Sequence, residues 1–279
     1  MNSANFIESF SVMKSHLKVV FFILFGLSNA CHSFSQIINI DKTDTAAYVK
    51  KPVLNGSISL GLEVDKQKQT LFDASNFFDL SLQKYHEFYI LSASNRFTYN
   101  GSNDFLNTGY AHLRWRHNYK NKWHPETYIQ YQWDDKLGMK SRFVTGENIR
   151  YNLWRNQNWE MSFATGLMYE HEIWDYIAVD SAKTPVDHPD VQTDHVKSNS
   201  YIKWDVKISA NSNFSFIVFY QALYNHFFQP RIASNLSFDA AISKHFLLDI
   251  KFSDLYDAAP VVPIIKFYYN LSYNLMYKF

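Results

Sequence analysis

From Leu54 to the last residue, apolar and polar side chains alternate with a period of two rather than the 3.6 of a helix. The clearest run is Ile265, Phe267, Tyr269, Leu271, Tyr273, Leu275, Tyr277 and Phe279, interleaved with Lys266, Asn270, Ser272, Asn274 and Lys278. On a helix these eight apolar residues would scatter around the circumference, whereas on a strand they form one stripe. The same rule marks twelve candidate strands, at 54–65, 69–82, 85–99, 106–118, 124–134, 140–153, 157–172, 198–210, 213–225, 231–243, 246–254 and 264–279. Most exceed the roughly 9 to 11 residues that a tilted strand needs to cross a bilayer.

The connections sort into two sets. Even-numbered strands end in tight polar turns: Gln83 and Lys84, Asn118 to Trp123, Asn211 and Ser212, Lys244 and His245. Odd-numbered strands mostly end in longer loops: Asn100 to Phe105, Asp175 to Lys197, Asp254 to Pro263. Short turns on one rim and long loops on the other predict an all-β fold, an antiparallel transmembrane β-barrel of about 12 strands (10–14), with both termini periplasmic. A soluble two-sheet sandwich also alternates, but its strands have a mode of about 5 to 6 residues. Its outward face would be polar, whereas here the outward stripes carry Trp115, Trp133, Trp159 and Trp204. Trp and Tyr favour the headgroup level. Tyr119, Trp123, Trp154 and Trp159 near the short turns, and Tyr99, Trp133, Trp174 and Tyr224 near the long loops, therefore read as two girdles.

Ahead of the barrel, Lys14 and Lys18 precede the apolar run Val19 to Leu27, the charged and apolar regions of a secretory signal. Ser33 and Ser35 suit cleavage before Gln36. This divides the chain into a cleaved signal peptide at 1–35, a periplasmic lead-in at 36–52 and the barrel at 53–279, with Met13 an alternative start. Ser28-Asn29-Ala30 before Cys31 resembles a lipobox but has Ser28 where Leu is expected. Cleavage after Ser35 removes the single Cys, leaving no thiol for disulfides or metal ligation. Lys and Arg total 27 against 26 Asp and Glu, so no basic excess points to nucleic acid.

With one parity facing lipid, the other lines the lumen. There the charges change sign from strand to strand: Arg114 and Arg116, then Glu126 and Asp134, Arg142 and Arg150, Glu160 and Glu170, and finally Lys203, Asp205 and Lys207. Across antiparallel turns Arg116 falls opposite Glu126 and Arg142 near Asp134. The ladder serves either as a selectivity device in a pore or as polar filling that shapes a small barrel. Ile217, Phe219 and Leu223 at inward parity favour filling. Glu147 shares the outward parity of Phe143 and Ile149 and fits poorly there unless a bulge at Gly146 turns it inward.

Two segments carry side chains suited to metal binding or acid–base chemistry. The long loop holds Asp175, Asp180, Asp187, His188, Asp190, Asp194 and His195, above His171 and Glu172, but their spacing matches no metal cage. Tyr169-Glu170-His171-Glu172 carries acid-base groups without a neighbouring Ser, and no Gly-x-Ser-x-Gly elbow occurs. No catalytic, cofactor-binding or metal-binding residue is assigned, and no cofactor is expected.

Gly109-Tyr110-x-His112-x-Arg114, Trp123, Glu126-x-x-x-Gln130, Asp134-x-x-Leu137, Arg142-x-x-x-Gly146-x-x-x-Arg150-Tyr151 and Gly166-x-x-Tyr169-Glu170 resemble the salt-induced outer-membrane protein family. The resemblance covers about a quarter of the chain. It implies an outer-membrane barrel and brings no catalytic residue, cofactor or substrate. The terminal aromatic Phe279 likewise resembles the C-terminal insertion signal of such barrels, which makes the insertion machinery and outer-membrane lipid the expected partners, with no solute specified. The expected function is a non-enzymatic envelope barrel, either a narrow channel or a structural, stress-related protein. The alternative is a lipid-modifying barrel enzyme, a lipid hydrolase or acyltransferase.

Overall fold

A computed structural model describes residues 51–66, 70–100, 104–185, 187 and 189–279. The expected signal segment with Met13 and Cys31, nearly all of the lead-in, and His188 lie outside the described residues. Twelve strands follow one another: β1 (Val53–Lys66), β2 (Thr70–Lys84), β3 (Glu87–Asn100), β4 (Asp104–His117), β5 (Trp123–Asp134), β6 (Met139–Arg155), β7 (Trp159–Trp174), β8 (Val191–Lys207), β9 (Ser212–Leu223), β10 (Arg231–Ala241), β11 (Phe246–Asp257) and β12 (Phe267–Lys278). Each pairs antiparallel with its sequence neighbours, and β12 returns to β1, closing a barrel.

The period of two decides which side of the wall each residue takes. On β5 and β6 the positions of Glu126, Tyr128, Gln130, Arg142, Val144 and Arg150 are buried, while Ile129, Tyr131 and Ile149 between them are exposed on the outside. Large apolar residues cover the outer surface all round, among them Leu60, Leu91, Trp115, Trp204, Phe252 and Leu275. Such an exterior is stable only against hydrocarbon.

Five departures from the sequence reading have local causes. β8 starts at Val191 rather than 198, so Asp194 and His195 are strand residues and the long loop shrinks to 175–190. Tyr119 leaves its girdle position. Asn118 takes a φ of 51°, the Tyr119 N–H donates to the His86 carbonyl at 3.3 Å, and the ring folds inward onto Phe88. Trp174 also points inward, because β7 runs two residues past its expected end and keeps the parity of Glu170 and Glu172. Arg142 lies opposite Gln132, not beside Asp134, since a bulge between Gln132 and Asp134 shifts the register. No irregularity occurs at Gly146, so Glu147 stays exposed on the outer face between Thr127 and Leu167.

Candidate functional site

The candidate site is the barrel interior, where polar side chains from β4 to β11 meet across the lumen in two tiers. The tier nearer the long loops centres on Glu170 and Glu172. Successive inward positions on β7 place both carboxylates in the lumen. Glu170 accepts from Arg142 Nε at 2.7 Å, from Arg231 Nη1 at 2.9 Å and from the Lys197 ammonium. Glu172 accepts from Arg231 at 2.9 and 3.3 Å. Arg231 also donates to Asp257 at 2.8 Å, and Arg142 donates to Gln132 at 2.9 Å and to Gln221 at 3.4 Å. Three cations and three carboxylates from five strands thus balance in a space closed to solvent.

The second tier centres on Glu126. Its oxygens take the Tyr201 hydroxyl at 2.8 Å, Asn148 at 3.0 Å and Arg116 Nε at 3.3 Å, with the Arg114 guanidinium 3.9 Å away. Tyr201 crosses from β8 and also receives Arg150 at 3.0 Å, while Asn199 reaches the Tyr128 hydroxyl at 2.9 Å. Arg150 and Arg155 share Glu160, and Lys203 pairs with Asp205 at 2.7 Å. A buried charge left unpaired is very costly, so these pairings are what permits the filling.

Apolar groups cover both tiers. At the long-loop end, Leu137 from the 135–138 turn, Val179 from the 175–190 loop and Val262 from the 258–266 loop pack with Trp174, Leu255 and Tyr268; Val262 is 1% exposed. Between this roof and Arg142, Arg231 and Asp257 lies a cavity of about 20 Å³. At the short-turn end Phe88, Ile90 and Tyr119 form a smaller floor, with the Arg116 guanidinium 5.6 Å from the Phe88 ring.

Of the ladder residues read from the sequence, Arg114, Arg116, Glu126, Asp134, Arg142, Arg150, Glu160, Glu170, Lys203 and Asp205 are buried. Lys207, the last residue of β8, is exposed at the rim beyond the enclosed space. Asp134 serves the 135–138 turn, accepting the Lys136 N–H at 3.0 Å. The sequence reading missed Glu172 as a lumen group, and Lys197, Arg231 and Asp257 altogether. Arg231 carries the inward parity of Ala233 and Asn235, a signal that was available. Lys197 and Asp257 fell in segments read as loops.

The Tyr169-Glu170-His171-Glu172 run is split by the pleat. His171 points outward, where Asp194 accepts from its Nδ1 at 2.9 Å and from Tyr169 at 2.5 Å, while both glutamates point into the lumen. Among the described residues, no group of three or more His, Cys, Asp or Glu side chains could hold a metal ion.

Residues 74–279 match the family described as protein of unknown function, DUF481. No curated protein matches the chain by sequence. Among solved structures, the chain is similar to the NanC porin at 7% identity, covering 81% of this chain and 99% of that one with a TM-score of 0.43. It is also similar to the translocator domain of the autotransporter NalP from Neisseria meningitidis, at 9% identity over 96% and 97% of the two chains with a TM-score of 0.43. A third is an outer membrane channel from Pseudomonas putida F1, at 6% identity over 85% and 98% with a TM-score of 0.43.

Proposed function

For a chain that belongs to the DUF481 family, we propose a non-enzymatic role as an outer-membrane envelope barrel whose lumen is filled by its own side chains rather than left as a wide pore. Export runs through a cleavable signal over 1–35, both barrel ends of the chain lie in the periplasm, and β12 with Phe279 is handed to the insertion machinery. The observation that carries the reading of the lumen is the crossing of the interior by Tyr201 to Glu126 and by Arg231 to Glu170 and Glu172 beneath an apolar roof. A solute entering from the long-loop side would have to part the roof and break balanced ion pairs. Any passage is therefore narrow and gated by the protein's own side chains. The separation of His171 from Glu170 and Glu172 supports the non-enzymatic side of the proposal.

Purified protein in planar bilayers tests it. The expected record is flat, without the discrete steps of a porin; steady steps of porin size would replace filling by a pore. Recovery in the outer-membrane fraction is expected in parallel, and recovery as a soluble periplasmic protein would end the proposal.

A further inference from the structure

Only part of the 175–190 loop serves the roof. Val179 packs into it, but the loop also lines, together with Lys140 from the start of β6, an open cleft of about 670 Å³. Ligand pockets run from about 300 to 1,000 Å³, so the space suits a small organic molecule. Its lining divides by chemistry. Lys140, Asp175 and Asp190 carry charge, while Tyr176, Ile177 and Pro185 supply apolar surface. Ile177 is 69% exposed, and covering it with an apolar group is favourable.

Lys140 Nζ donates to both Asp190 carboxylate oxygens, at 2.8 and 2.9 Å. The Asp175 carboxylate also acts on this ammonium, and its Oδ1 accepts the Ile177 N–H at 3.0 Å. One cation thus answers two carboxylates, and the charged lining keeps one negative charge in excess. The wider loop has the same sign, with Asp180 and Asp187 against Lys183. An anion meets this field unfavourably. A hard divalent cation needs roughly six oxygen ligands, and among the described residues no group of three or more His, Cys, Asp or Glu side chains could hold a metal ion. An organic ammonium needs only a carboxylate or two, and Lys140 on Asp190 shows that contact within the chain.

We propose that this cleft binds a small primary amine with an apolar body. The ligand's ammonium is held by Asp175 and, once Lys140 swings aside, by Asp190. Its apolar body lies on Tyr176, Ile177 and Pro185. The site goes beyond the envelope role proposed above and does not depend on what fills the lumen.

The test follows isoleucine methyl signals of the full chain in detergent micelles by NMR, with Ile177 identified by its absence in Ile177→Val. Benzylamine is expected to move the Ile177 methyl saturably, while benzyl alcohol and benzoate leave it in place and methylamine acts only at higher concentration. Asp175→Asn keeps an acceptor for the Ile177 N–H, yet should raise the benzylamine midpoint about fivefold, the scale of an exposed charge pair. Lys140→Met should lower that midpoint about threefold, because the chain's own ammonium no longer competes for Asp190. An equal response to benzyl alcohol overturns the amine as ligand. A response to benzoate that Lys140→Met abolishes reverses the sign of the site. Shifts confined to Ile129 and Ile149 on the outer wall mean partition into detergent, and no shift at Ile177 means that the cleft binds nothing of this class; either result overturns the site and leaves the envelope role standing. Heat-modifiable gel mobility reports that each variant is folded.

Discussion

At the residue scale, the interior is held by groups whose worth depends on their partners. Glu170 answers three cations at once. Glu170→Ala leaves them facing one another without water, and the expected loss is about 3 to 5 kcal/mol, the usual consequence of removing one member of a buried ionic cluster. Urea unfolding in vesicles measures it, and an unchanged midpoint would mean that water already solvates the cluster. Backbone geometry is equally exacting at Gly138, whose φ is +77° and whose added Cβ would sit 2.9 Å from the Asp175 carbonyl oxygen. The same carbonyl region anchors the roof, because Asp175 N–H donates to the Gly138 carbonyl at 2.8 Å. Gly138→Ala is therefore expected to lower stability by about 1 to 2 kcal/mol or more, read as an earlier heat-induced shift in gel mobility. Gly138→Asn, which tolerates a positive φ better, should fall between the two.

At the element scale, the outer face of β6 carries a charge in the middle of a strand. Glu147 sits among Thr127, Leu167 and Ile149, where a carboxylate meets hydrocarbon. Glu147→Leu should raise unfolding stability by about 1 kcal/mol, since a lipid-facing charge is penalised according to depth and an acidic one less than a basic one. A loss on the same substitution would show that the carboxylate has a partner in the membrane. The strands themselves were readable because two different solvents, lipid and lumen, impose opposite chemistry on alternate residues. The signal fails where both faces carry polar residues. Residues 191–197, Val-Gln-Thr-Asp-His-Val-Lys, form the start of β8 yet alternate poorly, with Gln192 and Asp194 on the outward parity and Thr193, His195 and Lys197 on the inward one. Tyr119 and Trp174 misled for a related reason: an aromatic at a strand end suits a girdle or a plug equally well, and only the turn geometry decides. Register is subject to the same limit, because the bulge between Gln132 and Asp134 leaves no mark in the hydrophobic pattern, yet it moves Arg142 from one partner to another.

At the scale of the whole molecule, closure creates what no local pattern contains. Glu126 and Tyr201 are 75 residues apart, and Arg142 and Gln221 are 79 apart; they touch only because the sheet curls into a barrel. Charge parity identified many of the participants, but which carboxylate meets which cation depends on shear and curvature. The roof and the upper tier are stacked barriers, and stacked barriers need not respond additively. Replacing 258–264 by a short Gly-Ser linker removes Val262 and Ile264 but leaves the ion pairs below, so conductance in planar bilayers should stay near zero. Converting Arg142, Arg231, Lys197, Glu170, Glu172 and Asp257 together to Ala removes the three cations with the three carboxylates and strands none of them, but the apolar roof still seals the mouth. The combination leaves the Glu126–Tyr201 tier and the floor across the lumen, so conductance should still stay near zero, and discrete steps from it would overturn filling by that lower tier. Steps from the linker variant alone would mean that the paired charges part readily, which would shift the barrier of this barrel from its ionic interior to its loops.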